Sequence, residues 1–330
     1  MAQAQKCRVV FMGTPDFALP SLRLLMQWQR GSVVGVYTQP DRPAGRGNKV
    51  NMSVVKQAAL QAGLPVFQPA NFQSEKEVDI LRSLRADFLV VAAYGLLLPA
   101  AVLALPAIDC INVHASLLPA YRGAAPIQRA VMDSWQAESR TGVSIMRVVR
   151  QLDAGPVYAS ASLAIGEHTA GSLRDALSDL GASLLIRVLD DILDGRAMPV
   201  EQDNAKASYA PKIFREDGVV DWNMAAARIH ARIRGVTPRP GAGIVLEPAS
   251  DLAPLSGILL PGSIGEPVEQ AVPGTLWRQG RTLSIACADF WYRLSSLRPA
   301  GKKTMTVVEL LNGALRNTPQ GFCGRVRSLS

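Results

Sequence analysis

Asn112 and His114 are the residues of this sequence whose types and spacing best suit chemistry. They stand two positions apart in Ile111–His114, and alternation along a β-strand would turn both side chains to the same face. An amide can donate a hydrogen bond to a developing oxyanion, and an imidazole can carry a proton near neutral pH. The pair therefore predicts acyl-transfer chemistry, although an isolated Asn-x-His pattern also fits a structural role.

A second segment supplies a carboxylate. The strand-like stretch Gly142–Val148 leads to an Asp-x-Gly turn that begins at Asp153. This turn could carry the carboxylate to the same end of the sheet, where it would orient His114 and accept protons. Taken alone, an Asp in such a segment is more often a turn former than a functional carboxylate.

The elements that must position these residues alternate between strand-like and helix-like segments over the first two-thirds of the chain. This order predicts an α/β fold with a Rossmann-like, mainly parallel sheet. Asp87–Ala93 is almost continuously apolar, as expected of a strand covered on both faces. Because ligands bind at strand ends in such sheets, the segment that ends at His114 is the expected site.

The domain organisation predicted from composition is a catalytic domain over residues 1–194, a polar linker over 195–210 and a second domain over 211–330. Short strand candidates broken by Pro and Gly predict that the second domain is a small β-barrel. The stretch Pro248–Glu269 is rich in Pro, Gly and Ser, so we expect a long surface loop there.

The charge of the chain is concentrated in its C-terminal third. The whole sequence of 330 residues has 35 Lys+Arg against 27 Asp+Glu, a net charge of +8, and residues 206–330 hold 16 basic and 9 acidic residues, a net of +7. A field of this sign attracts polyanions, which makes nucleic acid the leading candidate partner. A basic surface that only keeps the protein soluble is the alternative.

Composition and motifs also exclude several classes of protein. The four cysteines are scattered without metal-ligand spacing, which favours a reducing cytoplasm over a disulfide framework or a structural zinc. No apolar run is long enough to span a bilayer, and the N-terminus lacks a signal-peptide layout. The turn Gly13–Asp16 lacks the further glycines of a dinucleotide fingerprint, so no nicotinamide cofactor is expected.

Longer strings of sequence resemble the folate-dependent formyltransferases, and in particular the members that act on initiator tRNA. The matching stretches keep their order along nearly the whole chain: Phe11–Ala18, Thr38–Gly47, Ala93–Pro99, Asn112–Pro119, Arg122–Arg129 and Pro299–Lys303. The resemblance implies a Rossmann-like formyltransferase domain followed by an OB-like barrel. It also implies 10-formyltetrahydrofolate as formyl donor, the amino group of methionine on initiator tRNA as acceptor, no metal, and a cytoplasmic monomer.

The resemblance also implies a role for each matching residue. The catalytic set is Asn112, His114 and Asp153. The folate-binding set is the loop Ser116, Leu117, Leu118 and Pro119, with Tyr94, Gly95, Leu96 and Leu97 lining the pterin pocket. The tRNA-binding set comprises Arg42, Arg46 and Lys49 of the loop Thr38–Val50, together with Lys212, Arg232, Arg234, Lys302 and Lys303 of the basic second domain.

Two alternatives stay open from the sequence. A related formyltransferase that acts on a nucleotide sugar or a small amine would share the catalytic set and could share the second domain. A non-catalytic RNA-binding protein on the same scaffold would have no need of Asn112, His114 and Asp153 together. The basic loop at residues 38–50 and the concentration of positive charge in the C-terminal third favour tRNA as the substrate.

Overall fold

The structure is a computed structural model that describes residues 6–44, 49–136, 138–249 and 251–329, without the side chains of residues 42–44, 49 and 50. The chain divides into two compact units. The first combines Met1–Gly123, Thr141–Leu163 and Arg174–Ala210, and the second combines Ala124–Arg140, Ala164–Leu173 and Pro211–Ser330. The domain limits predicted above, 1–194 and 211–330, stay a prediction.

Up to residue 210 the described chain alternates strands and helices. The strands are β1 Cys7–Gly13, β2 Gly31–Tyr37, β3 Arg42–Ala44, β4 Lys49–Asn51, β5 Val66–Phe67, β6 Phe88–Ala92, β7 Asp109–His114, β8 Arg122–Gly123, β9 Arg140–Arg147, β10 Val157–Ala164 and β11 Tyr209–Ala210. The helices are α1 Leu19–Gln27, α2 Val54–Gln61, α3 Glu75–Ser83, α4 Ala100–Leu103, α5 Pro126–Asp133 and α6 Ala170–Leu193.

The first unit is built on a seven-stranded sheet of order β10-β9-β7-β6-β1-β2-β5. Strands β5, β2, β1, β6 and β7 are parallel to one another, and β9 runs antiparallel to β7. The central strands are buried on both faces because their sequences are continuously apolar, as in the FLVVA of β6. This confirms the predicted Rossmann-like, mainly parallel sheet.

The second unit continues with helices α7 Ala226–Gly235 and α8 Val307–Asn312 and with nine strands. These are β12 Ala242–Pro248, β13 Leu255–Leu259, β14 Ser263–Pro267, β15 Thr275–Gln279, β16 Thr282–Ala286, β17 Phe290–Arg293, β18 Ser296–Pro299, β19 Met305–Thr306 and β20 Gly321–Ser328. They form one sheet of order β14-β17-β16-β15-β20-β12-β13-β18-β19.

This sheet curls back on itself. Consecutive strands β13 and β14 lie near opposite ends of the strand order, and so do consecutive strands β17 and β18, so the connections between them bring the two ends together. Strand β13 pairs with β18, and the following β14 pairs with β17, the strand that precedes β18 in the chain. The curled antiparallel sheet confirms the predicted small β domain. Its interior is an apolar cluster that includes Ile233, Leu246, Leu276, Ile285 and Tyr292.

Close helix packing in the second unit depends on one glycine. Helix α7 packs against α5, and a Cβ at Gly235 would lie only 2.5 Å from Cγ of Met132. A larger side chain at this position would separate the two helices.

The loop predicted over Pro248–Glu269 is wrong for part of its length, because β13 and β14 lie within it. The strand signal is weak because Pro and Gly interrupt the apolar alternation. Gly257 is required by the pairing itself, since a Cβ there would lie 2.7 Å from the carbonyl oxygen of Arg298. In the part of the chain that the structure describes, no helix is long and apolar enough to cross a membrane.

Candidate active site

Strand β7 carries Asn112 and His114 to the carboxyl end of the parallel sheet. Asn112 lies opposite Val91 of β6 and Met146 of β9, and His114, the last residue of β7, lies opposite Ser144. Asn112 is half-buried and His114 is only 6% exposed. Two positions apart on one strand, their side chains leave the same face of the sheet.

Asp153 approaches His114 from the turn that follows β9. Its φ of +50° lies in the left-handed region, which a non-glycine residue enters only where the surroundings hold it. One carboxylate oxygen, Oδ2, accepts a hydrogen bond of 2.8 Å from the Gly123 N–H, and Oδ1 lies 3.7 Å from Nδ1 of His114. Imidazole and carboxylate, 39 positions apart in the chain, are therefore neighbours in the fold.

The surroundings of the His114 ring assign its protons. Nε2 lies 3.1 Å from the carbonyl oxygen of Tyr121, which can only accept, so Nε2 carries a hydrogen. The other nitrogen, Nδ1, faces the Asp153 carboxylate. At 3.7 Å the carboxylate is too far for a direct hydrogen bond but close enough to attract a proton on Nδ1 by its charge. Imidazole and carboxylate are thus placed to act on the same bound reactant.

A partly buried network that the sequence did not predict fixes the Asp153 turn. Nε2 of Gln202 donates to the carbonyl oxygens of Asp153, at 2.9 Å, and of Gly155, at 2.7 Å. Oε1 of the same amide accepts from the guanidinium of Arg122, at 2.8 and 3.1 Å, and this side chain is fully buried. Asn204 accepts a further bond of 2.8 Å from Arg122. These residues give Gln202 one orientation, and with it the main chain of the turn.

The loop Ser116–Pro119 is held by another residue that the sequence analysis did not single out, Ser144 of β9. Its hydroxyl donates to the Ser116 carbonyl at 2.8 Å and accepts from the Leu118 N–H at 3.1 Å. The Ser116 hydroxyl donates to the Ala120 carbonyl at 2.6 Å, so that side chain is occupied within the loop. Leu117, Leu118 and Pro119 are half-buried, and the Leu118–Pro119 peptide bond is cis.

In the segment Tyr94–Leu97 the tyrosine ring is buried, and main-chain groups and leucine side chains reach the surface. The Tyr94 ring is buried in an apolar cluster of the first unit, and its carbonyl accepts a bond of 3.2 Å from the Thr14 hydroxyl. Gly95 has a φ of +82°, and a Cβ there would lie 2.5 Å from Nε2 of Gln39. Leu96 is half-buried and Leu97 is 84% exposed.

The basic residues predicted to bind tRNA differ in their exposure. Lys212, Lys302 and Lys303 are exposed, and half-buried Arg232 donates to the Asp217 carbonyl at 3.1 Å. The side chains of Arg42 and Lys49, and all of Arg46, lie outside the described part of the structure.

The burial of Arg234 contradicts the prediction that this residue binds tRNA. It is 4% exposed, and its guanidinium donates to the carbonyl oxygens of Gly166, His168 and Ser134. Burial also lowers the pKa of this guanidinium. Because its charge is enclosed, Arg234 stabilises the second unit and does not offer a surface cation.

The cysteines are unsuited to nucleophilic chemistry. All four are free, and burial raises the pKa of Cys110 and Cys287 to about 12 and that of Cys323 to about 11. These thiols stay protonated at neutral pH, and only a thiolate attacks carbonyl carbon efficiently. Among the described residues, no group of three or more His, Cys, Asp or Glu side chains is arranged to hold a metal ion.

Comparison with known proteins matches both halves of the chain to formyl transferases. The formyl transferase family model matches residues 7–189, and the model of the formyl transferase C-terminal domain matches residues 212–315. The chain is 55% identical to the methionyl-tRNA formyltransferase of Desulfovibrio desulfuricans, over 99% of this chain and 98% of that protein. It is 50% identical to the methionyl-tRNA formyltransferase of Nitratidesulfovibrio vulgaris strain DP4, over 93% and 92%.

Solved structures share the fold at 15% identity. An N-formyltransferase from Helicobacter canadensis, in complex with folinic acid and dTDP-3-aminofucose, matches with a TM-score of 0.63 over 87% of this chain and 98% of that one. HypX from Aquifex aeolicus, in complex with tetrahydrofolic acid, matches with a TM-score of 0.60 over 96% of this chain. The present chain covers 49% of HypX.

Proposed function

The chain belongs to the formyl transferase family, and we propose that it transfers the formyl group of 10-formyltetrahydrofolate to the amino group of methionine on initiator tRNA. The observation that carries this proposal is the 55% identity to a methionyl-tRNA formyltransferase over 99% of the chain. The convergence of Asn112, His114 and Asp153 on one end of the sheet gives the proposal its chemistry. We propose further that the enzyme works in the cytoplasm as a monomer.

In this mechanism, 10-formyltetrahydrofolate supplies the one-carbon unit as a co-substrate. The methionine amine, with a pKa of about 7.7–8, is partly neutral at cytoplasmic pH and adds to the formyl carbon. Within the described residues, no group hydrogen-bonds the Asn112 amide, so its N–H is free to donate to the tetrahedral oxyanion. The imidazolium of His114 adds positive charge beside the same oxygen.

Proton transfer completes the reaction without a covalent enzyme intermediate. The new C–N bond to methionine leaves an extra proton on the amine, and the Asp153 carboxylate beside the His114 imidazolium accepts it. The C–N bond to the folate then breaks, and the pair returns a proton to the departing folate nitrogen. The enzyme ends in its starting protonation state, and no metal is required by this scheme.

The folate is proposed to lie against main-chain groups more than against side chains. In Ser116–Pro119 the hydroxyl of Ser116 is already committed to Ala120, so only main chain and the flanks of Leu117, Leu118 and Pro119 face outward. In Tyr94–Leu97 the phenol is buried, and the exposed Leu97 offers apolar contact. Flat heterocycles are commonly read in this way, by fixed main-chain donors and acceptors beside apolar walls.

A polar-to-polar substitution tests the network beneath Asp153. In Gln202→Glu the oxygen that accepts from Arg122 remains, but both N–H bonds to the Asp153 turn are lost. We expect kcat to fall about 10- to 100-fold with a changed pH profile, since small displacements of a reacting group are costly. Gln279→Ala, at an exposed end of β15, serves as control. An unaltered kcat would mean that the turn holds Asp153 without Gln202.

Binding of tRNA is proposed to use Arg42, Arg46 and Lys49 near the acceptor end, together with the exposed lysines of the second unit. For the double variant Lys302→Ala/Lys303→Ala we expect weaker tRNA binding. The plot of log affinity against log salt should also be less steep, by about one for each lost phosphate contact. Lys76→Ala, an exposed position of α3, is the control. Equal slopes for wild type and double variant would remove these lysines from the interface.

A second candidate function is formyl transfer to an amino-sugar nucleotide, because the Helicobacter canadensis structure shares the fold. One assay decides between the two. Purified protein is incubated with 10-formyltetrahydrofolate and either methionyl-tRNA or an amino-sugar nucleotide. We expect formyl transfer to methionyl-tRNA only, and transfer to the sugar alone would overturn the proposal.

A further inference from the structure

Three aromatic side chains lie together on the outer face of the curled sheet. Trp277 of β15 lies opposite Phe322 of β20, and its ring centroid is 5.9 Å from that of Trp291 on β17. Trp277 is 40% exposed, Phe322 is exposed and Trp291 is half-buried. We call these three residues the aromatic platform.

The register explains why the platform faces away from the core. Leu276, Ile285 and Tyr292 are fully buried in the interior cluster, and the residues next to them along each strand point the other way. Strand β16 lies between the two tryptophans, and the residues it places opposite them are Ser284, facing Trp277, and Ala286, facing Trp291. These small side chains leave room for the indoles to meet above them.

Two arginines flank the platform. Arg293 lies opposite Ser284, and Arg325 lies opposite Thr275. Arg293 forms an ion pair with Glu266, and Arg325 is exposed. Residues 263–330, from β14 to the end of the sequence, contain nine Lys+Arg and four Asp+Glu, so the platform belongs to a basic part of the chain.

Exposed aromatic planes with cations beside them are suited to single-stranded nucleic acid. Every base offers a flat face that stacks on an indole or a phenyl ring, and arginines hold the adjoining phosphates. A protein partner would also cover apolar surface, but the excess of positive charge around this patch favours a polyanion. We infer that the aromatic platform stacks on unpaired nucleobases of RNA, with Arg325 on the backbone. The inference rests on the proposed function, under which the bound RNA is the initiator tRNA.

Binding measurements on the full-length protein test this inference. Fluorescence anisotropy would report affinity for labelled, uncharged initiator tRNA and for a labelled oligouridylate of about ten nucleotides. We expect Trp277→Ala and Phe322→Ala each to weaken binding of oligouridylate about 5- to 100-fold, the range found when a stacking aromatic residue is removed. We expect Trp277→Phe to keep most of the affinity. The salt slope should stay unchanged in Trp277→Ala and become shallower in Arg325→Ala.

Trp135→Ala is the matched control, because Trp135 is 39% exposed and belongs to the segment after α5 rather than to a strand of the platform, with Arg228 over its ring. Affinities of Trp277→Ala and of the Trp277→Ala/Phe322→Ala double variant within twofold of wild type would overturn the inference. The same holds if these variants only change the mass in light scattering, since a second copy of the chain would then cover the patch. Both binding assays use RNA without an amino acid, so they succeed or fail independently of formyl transfer.

Discussion

Replacing Asn112 by alanine is expected to lower kcat for formyl transfer about 10²- to 10³-fold. The half-buried amide stands at the end of β7 and makes no hydrogen bond within the described residues, so its N–H is available to the oxyanion. The loss corresponds to removal of one preorganised oxyanion donor. Because this interaction belongs to the transition state, KM for methionyl-tRNA should stay nearly constant.

Asn112→Asp sharpens this test, because the aspartate keeps the size of the side chain and replaces its N–H donor with an acceptor. Single-turnover rates at saturating folate and methionyl-tRNA would measure the chemical step for both variants. Asn223→Ala, in an exposed turn of the second unit, controls for the loss of an asparagine as such. A wild-type single-turnover rate in Asn112→Ala would remove the amide from the oxyanion site.

Sequence patterns predicted the two elements that carry His114 and Asp153, but not the path of the chain between them. His114 ends β7, and Asp153 follows β9, which runs antiparallel to β7 and places its last residue, Arg147, opposite Ile111. The segment after β9 must therefore turn back to bring Asp153 beside His114. The apolar run of β6 likewise predicted a strand covered on both faces. Strand ends and apolar runs are local signals, and a single sequence carries them plainly.

The support beneath the site could not be predicted in this way. Gln202 reaches back 49 positions to Asp153, and its partner Arg122 lies 80 positions earlier in the chain. A lone polar residue in an irregular segment shows no periodicity, so nothing in the sequence distinguishes it from a solvated side chain. Ser144 differs only in standing on a strand, and its burial beside the loop Ser116–Pro119 is a property of tertiary packing.

Arg234 shows the limit of arguments from charge. In the sequence it adds to the basic excess of the second domain, but it lies one helical turn after His230 on a buried side of α7. There its N–H groups donate to the main-chain carbonyl oxygens of His168 and Ser134. Counts of charge predict a field, and only packing decides which charges reach the surface.

Asp153→Asn is expected to lower kcat about 10²- to 10⁴-fold, the range of a positioned general base or acid. Asparagine can still accept from the Gly123 N–H through its side-chain oxygen, so the turn should keep its place. What is lost is the negative charge 3.7 Å from His114 Nδ1, and with it the capacity of the pair to hold the amine proton. Asp175→Asn, an exposed position of α6, is the matched control.

The comparison with His114→Ala makes this prediction more specific. Residues that act as one unit lose nearly the same activity singly and together, so the double variant Asp153→Asn/His114→Ala should be little worse than the poorer single variant. His168→Ala, whose ring contacts Ser172, controls for the loss of an imidazole. Multiplicative losses in the double variant would mean that imidazole and carboxylate contribute separately. In that case His114 and Asp153 would not act as one unit when the amine is deprotonated.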